Sequence, residues 1–305
     1  MYTTVMTGAS RGIGRYAAEK LLAGDPNLHL VVLGRAEGNS TLATSLTRFA
    51  RRLMTVDVDL ASLDDTRAAA ETVVDRVSAG DLPPLRGFLG NAGLQFADDR
   101  HETVDGLETT FAVNVIANHV LLGALVPAVT APARLVITAS DTHFGDLRHT
   151  GGLVPAPRWT DPAALARTGA FGDANPVTAG RRAYSTSKLA VIHLVHEWAR
   201  RLPDGVEIVS YNPSFVPNTG LARDASRRDR YANRWLLPAI TVTPFFDSVP
   251  TAGRKLADVA LGRIPAPSGA YIDRTRVIPS SGESYDADRE RMLWDFLGGL
   301  LASNP

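Results

Sequence analysis

Apolar positions along the 305-residue chain follow two alternating patterns. Short continuous apolar runs end in small residues: "TTVMT" at 3–7, "LHLVVLG" at 28–34, "LMTVDV" at 53–58, "LRGFLGN" at 85–91, "RLVITAS" at 134–140 and "VEIVSYN" at 206–212. Between them, 12–23, 61–79, 103–128 and 181–202 carry apolar residues at three- and four-residue spacing, the period of an amphipathic helix. This alternation predicts an α/β fold: a doubly wound parallel sheet, buried on both faces and forming a single domain over 1–305. Such a sheet binds ligands beyond the carboxyl ends of its strands, where the strand order reverses.

Two segments break the rhythm. Residues 141–183 are rich in Gly, Pro, Thr and Ala with little periodicity, which in so long a stretch indicates a functional excursion, here a lid or pocket wall. Residues 220–250 hold Arg223, Arg227, Arg228, Arg230 and Arg234, then the apolar "WLLPAITVTPFF". They read as a substrate lid, with a lipid-touching surface as the alternative.

Composition narrows the function classes. Thirty-two basic residues balance thirty-two acidic ones, so no bulk field draws the chain to nucleic acid or an anionic membrane. The absence of cysteine excludes disulfides and thiolate metal sites. "MYTTVMTGASRG" enters a strand without a basic stretch and apolar signal core, and no apolar run looks close to the ~20 residues that span a bilayer. A cytoplasmic protein acting on a small molecule is expected.

"VMTGASRGIGRYAAEKLL" places Gly8, Gly12 and Gly14 between the first strand and the first helix. Glycines there let the backbone turn sharply and approach a pyrophosphate, whose charge rests at the positive helix N-terminus. The following strand completes the context of a dinucleotide-binding, Rossmann-type fold. At its end an acidic residue would hold the ribose hydroxyl of NAD, but the sequence has Arg35. With Arg11 in the glycine loop, two guanidinium forks suit a 2'-phosphate, so the expected cofactor is NADP(H).

"TGASRGIG", Asp59–Leu60, "NAG" at 91–93, "VNVIAN" around Asn114, "RLVITAS" ending at Ser140 and "YSTSK" at 184–188 follow in order. Together they resemble the short-chain dehydrogenase/reductase family over nearly the whole chain. The resemblance implies a catalytic set of Asn114, Ser140, Tyr184 and Lys188. It implies cofactor contacts from Gly8, Ser10, Arg11, Gly12, Ile13, Gly14, Arg35, Asp59, Leu60, Asn91, Ala92, Gly93, Tyr184, Lys188, Pro213, Phe215 and Val216. Family members often pair through the helix bearing the tyrosine, so a homodimer or homotetramer is an expectation.

Carbonyl reduction delivers hydride to carbon while oxygen takes a proton, so the site needs an acid and an oxyanion donor. Tyr184 fits the acid and Ser140 the donor. The resemblance also gives Lys188 a hydrogen bond to the nicotinamide ribose, and gives Asn114 a water that links lysine to solvent. Lys188 is one helical turn from Tyr184 and is expected to lower its pKa. An ammonium ~4 Å away, at an effective dielectric of ~20, is worth about 4 kcal/mol, or roughly three pKa units.

Downstream strings, "NPSFVPNTGL", "SGAYID" and "ESYDADRERMLWD", resemble the branch containing light-dependent protochlorophyllide reductases and retinol-dehydrogenase-like enzymes. Ser140 and Tyr184 stand 44 positions apart, wider than in compact members. Where the family has Pro-Gly, this chain has Pro213-Ser214, and Phe215 replaces a cysteine that protochlorophyllide reductases use near the pigment. Dark reduction of a carbonyl in a specialised pathway is therefore expected, with C=C reduction or a non-catalytic NADP-binding sensor as alternatives. His143, Phe144 and Phe215 are candidate substrate contacts, and the aromatic content of both excursions suggests a hydrophobic substrate. His193, His196 and Glu197 share a helix face, but no third cluster supports a metal, and none is expected.

Overall fold

Successive residues along each strand are buried on opposite sides of one sheet, which is why the strands read as unbroken apolar runs. In β1 (Tyr2–Thr7), Val5 joins the core on one face and Met6 the core on the other; Val31 and Val32, Phe88 and Leu89, and Leu135 and Val136 divide in the same way. The molecule is described by a computed structural model that covers residues 1–214, 216 and 247–303. Of the lid expected over 220–250, residues 220–246 with their arginines and aromatics, and Phe215 before it, lie outside the described residues.

The other strands are β2 (Leu28–Gly34), β3 (Leu53–Asp57), β4 (Leu85–Gly90), β5 (Val129–Thr138), β6 (Val206–Asn212), β7 (Tyr271–Asp273) and β8 (Arg276–Ile278). They lie in the order β3-β2-β1-β4-β5-β6-β7-β8. All neighbours are parallel except β7 and β8, an antiparallel edge that the apolar runs did not indicate. The order reverses beside β1, and register brings Thr7, Leu33, Gly90 and Ile137 level at the carboxyl edge.

Helices α1 (Gly12–Gly24), α2 (Ala36–Ser45) and α3 (Leu63–Ser78) follow the first three strands. The next helical stretch has three parts: α4 (Thr109–Phe111), a π-helical turn (Ala112–Ile116) and α5 (Ala117–Leu125). The segment Thr109–Ala128 is 20 residues long and apolar enough to cross a membrane, contrary to the expectation from sequence. Most of it is buried inside the fold, where Val115, Val120 and Leu121 join the core around α3.

The excursion at 141–183 is anchored. It contains a 3-10 turn (Asp141–Phe144) and short helices α6 (Leu147–Thr150) and α7 (Pro162–Leu165). Leu165 and Phe171 are buried in the core, and Arg158 donates to the Phe171 carbonyl at 2.6 Å. Arg182 pairs with Asp173 at 2.8 Å. Helix α8 (Pro176–Ala199) begins five residues earlier than its periodicity suggested, with Asn175 accepting the Val177 N–H as its N-cap.

After β6 come α9 (Val249–Ala260), which packs closely on α1 through Gly253, and α10 (Ala287–Ser303). α10 lies against α8: Leu293 and Leu297 are fully buried, and Trp294 meets Trp198 and His119 edge-on. Residues 183–195 of α8 are all buried. Over 183–195 the helix expected to pair with a second copy is thus covered by its own chain.

Candidate active site

The glycine turn sits directly above the end of β4. Gly8 has φ +70°, a left-handed conformation that glycine adopts without strain, and a Cβ there would press on the Ala92 backbone at 2.6 Å. A Cβ at Gly14 would run into the Gly8 carbonyl, so the turn folds back tightly onto α1. Asn91 donates to the Gly8 carbonyl at 3.0 Å, and the Thr7 hydroxyl accepts the Ala92 N–H at 3.0 Å. The N-cap of α1 is Arg11, which makes no side-chain capping bond. The helix therefore keeps its first-turn N–H groups for an outside acceptor, an arrangement that fits a pyrophosphate. Ser10 and Ile13 are half-buried in this turn, and Gly12 opens the helix.

Arg35 is exposed at the end of β2, and Gly38 in the next turn lies against Ser10. The glycine turn and the β2–α2 turn thus form one rim that fits a dinucleotide's adenosine end. Asp59 is exposed beyond β3, its carboxylate accepting the Ala61 N–H at 3.0 Å, with Leu60 half-buried beside it. Buried Asn39 braces this rim by donating to the Gly34 and Val56 carbonyls and to Asp57. Sequence reasoning missed it, since an asparagine inside a helix carries no pattern of its own.

The π turn aims Asn114 at the strand edge. Its Oδ1 accepts the Leu94 N–H at 3.0 Å, and its Nδ2 donates to the Leu94 carbonyl and to the Ser187 hydroxyl at 2.9 Å. Asn114 therefore ties the "NAG" end of β4, with Gly93 between it and Lys188, to the catalytic helix.

Ser140 follows β5 and caps the 3-10 turn, accepting the Thr142 N–H at 3.3 Å. Its hydroxyl also reaches the Asp141 carboxyl at 3.4 Å. Tyr184 is buried on α8 facing Ser140, and Lys188 is buried one turn on. Lys188 donates to the Thr138 carbonyl at 2.9 Å, with its ammonium 5.6 Å from the Tyr184 ring centre. The four expected catalytic residues therefore converge.

Their electrostatics depart from the expectation in one respect. Tyr184 is raised above the ordinary phenol value, first by burial and then by the Asp141 charge, with the Ser140 contact acting the other way. Lys188 is itself pushed down to about 8 by burial. Burial thus acts against ionisation of both the phenol and the ammonium. Asp141, absent from the expected set, is raised to about 6 by burial and by the charge of Asp273.

The substrate candidates divide. Phe144 is half-buried and stacks on His149 at 3.9 Å between ring centres. His143 is buried, with both ring nitrogens bonded to backbone, so it has no nitrogen for a substrate; the sequence had suggested otherwise. Beyond β6, Pro213 and Ser214 are half-buried and Val216 is buried. Ser214 keeps a left-handed φ of +64° where the family has glycine. Asn212 spans three strand ends, accepting from Asp141 and Ser214 N–H groups and donating to Asp273 at 3.0 Å.

The histidines of "HLVHEW" serve packing. His196 bonds Glu290 of α10 at 2.6 Å, which Arg200 also engages, while His193 meets Trp159 edge-on. Glu197 pairs with Arg200 and Arg201.

Comparison with known proteins agrees with this geometry. Residues 2–149 match the profile of the family described as short chain dehydrogenase. The chain is 33% identical to the "Putative daunorubicin C-13 ketoreductase DnrU" of Streptomyces sp. (strain C5), covering 96% of this chain and 90% of that protein. It is 28% identical to the protochlorophyllide reductase of Avena sativa, covering 97% and 98%. The NADPH-bound carbonyl reductase from chicken fatty liver superposes with a TM-score of 0.60 at 19% identity, over 90% of this chain and 98% of that one, a likeness of fold. The chain belongs to the short-chain dehydrogenase/reductase family of oxidoreductases.

Proposed function

We propose that the protein is an NADPH-dependent reductase that delivers hydride to the carbonyl carbon of a medium or large, mainly hydrophobic small molecule, with alcohol oxidation as the reverse. The observation that carries this reading is the convergence of buried Tyr184, facing Ser140, with buried Lys188 one turn away. When bound, the dihydronicotinamide supplies the hydride. Ser140 holds the substrate oxygen and Tyr184 gives it a proton, so two hydroxyls meet the charge developing on oxygen. Lys188, anchored by Thr138, supplies a positive charge behind the phenol. The glycine turn and uncapped α1 would hold the pyrophosphate, and Arg35 beside Ser10 would hold a 2'-phosphate. The anchored 141–183 wall, carrying Phe144, would limit water on the substrate side.

The ketoreductase named among the relatives supports a carbonyl substrate. Likeness to protochlorophyllide reductase supports a second reading, reduction of an activated C=C bond by the same hydride and proton donors. NADPH consumption measured against aryl ketones, alicyclic ketones, quinones and cyclic enones, with product analysis, separates the two. Turnover with ketones that disappears in Tyr184→Phe supports the first reading. NADPH binding with no turnover across the panel would replace both with a sensor.

A further inference from the structure

We propose that His143 is a positioning residue for Ser140, holding the strand end that presents its hydroxyl; this rests on the role given to Ser140 above. His143 is 1% exposed, three residues past Ser140 in the 3-10 turn. Its Nδ1 lies 2.5 Å from the Ser140 carbonyl oxygen. Its Nε2 accepts the backbone N–H of Ser281 at 3.1 Å. A backbone amide only donates, so Nε2 must carry the lone pair and Nδ1 the proton. Both bonds are satisfied only by this one neutral tautomer. A protonated ring would turn an N–H against the Ser281 N–H.

The imidazole therefore acts as a two-ended clamp. One end holds the carbonyl of the residue whose hydroxyl faces Tyr184. The other holds the turn at 281–285, where Ser284 is fully buried and donates to the Ser281 carbonyl at 2.7 Å. Tyr271 packs edge-on against the ring at 4.9 Å and Phe144 lies tilted over it at 4.1 Å, so the ring has a fixed plane. Burial holds its pKa down to about 4, which keeps the required tautomer through the neutral range. Through its hydroxyl Ser140 makes a long bond to Asp141, accepts the Thr142 N–H and meets Tyr184. Its backbone, tied by His143, fixes where that hydroxyl points.

The test is a double-mutant cycle on kcat with the best ketone of the panel, using Ser140→Ala, His143→Phe and the pair. Phenylalanine keeps a planar ring and removes both hydrogen bonds. His143→Phe should lower kcat at least tenfold with KM and the NADPH Kd within twofold of wild type. In the Ser140→Ala background it should cost less than twofold further. His143→Asn, whose amide can replace the Nδ1 donor, should recover most of the loss. Additive losses, or a wild-type kcat in His143→Phe, would overturn the proposal. An unchanged kcat in Ser140→Ala would instead overturn the reading of the site.

Should His143→Phe fail to fold, Ser281→Pro serves. Ser281 has φ −61°, which proline accepts, and the substitution deletes the donor to Nε2 together with a hydroxyl that bonds none of the described residues. It should lower kcat with KM unchanged, and a wild-type kcat counts against the clamp. Independently of turnover, nitrogen-15 NMR of the wild-type protein should show the Nδ1–H tautomer of His143 between pH 5 and 8, above the lowered pKa of about 4. An Nε2–H tautomer would refute the assignment.

Discussion

Lys188 stands one helical turn beyond Tyr184, yet its ammonium donates to the Thr138 carbonyl of β5 at 2.9 Å, so the sheet aims the charge. This burial costs stability. The folded pKa of about 8 lies below the unfolded value near ~10.4, so the penalty is fully present below pH 8 and fades as pH rises between the two. Lys188→Met should therefore raise stability at pH 7 by about 1–3 kcal/mol, less near pH 10, while lowering kcat at least a hundredfold. Urea unfolding at both pH values, with parallel rate measurements, checks this.

Asp141 is a carboxyl raised by burial and by Asp273 to about 6. Its folded pKa exceeds the unfolded value near ~3.9, so its contribution is favourable at low pH and is lost as pH rises through about 6. Asp141→Asn should stabilise the protein at pH 7.5 by about 1 kcal/mol or more and change little near pH 4. Because the Asp141 charge also raises Tyr184, the variant should move the alkaline limb of alcohol oxidation to lower pH. Thermal melts and pH–rate profiles test both halves.

Glu290 joins α10 to α8 through His196 and Arg200. Hydrogen bonds from His196 and Arg200, with His193 4.0 Å away, hold its carboxyl well below the ordinary range despite burial. That stability is present above the unfolded pKa near ~4.3 and is lost as pH falls. Glu290→Gln should cost about 1 kcal/mol at pH 7, since it weakens the bonds that His196 and the half-exposed Arg200 make to the carboxylate. Trp294 fluorescence during unfolding reports the loosened helix.

Ser214 occupies a left-handed φ of +64°. Glycine adopts that conformation without the Cβ clash, so Ser214→Gly should stabilise the protein by about 0.5–1 kcal/mol, seen as a higher Tm.

Arg35 stands exposed at the rim beside the glycine turn. Arg35→Asp should reduce the kcat/KM for NADPH at least tenfold and raise that for NADH. Unchanged NADPH affinity would refute the 2'-phosphate assignment.

The chain wrote its central strands plainly, because β1, β2, β4 and β6 are covered on both faces and leave no polar alternation. The glycine turn and the pair on α8 were legible for a similar reason: one helix turn or one strand end fixes their spacing. What escaped was long-range or locally weak. α2 carries Gly, Asn, Ser and Thr, and buries only Asn39 and Leu42, so it has almost no apolar period. Contacts such as His143 with Ser281 join positions 138 apart, and no local pattern encodes them. Spacing likewise reveals an ammonium one turn from the phenol but not the burial of both groups.

The helix α10 covers α8 from within the chain, so the support behind Tyr184 is built from residues about a hundred positions further along the same polypeptide. Cutting the chain before α10 would uncover the flank of the helix that holds the proton donor.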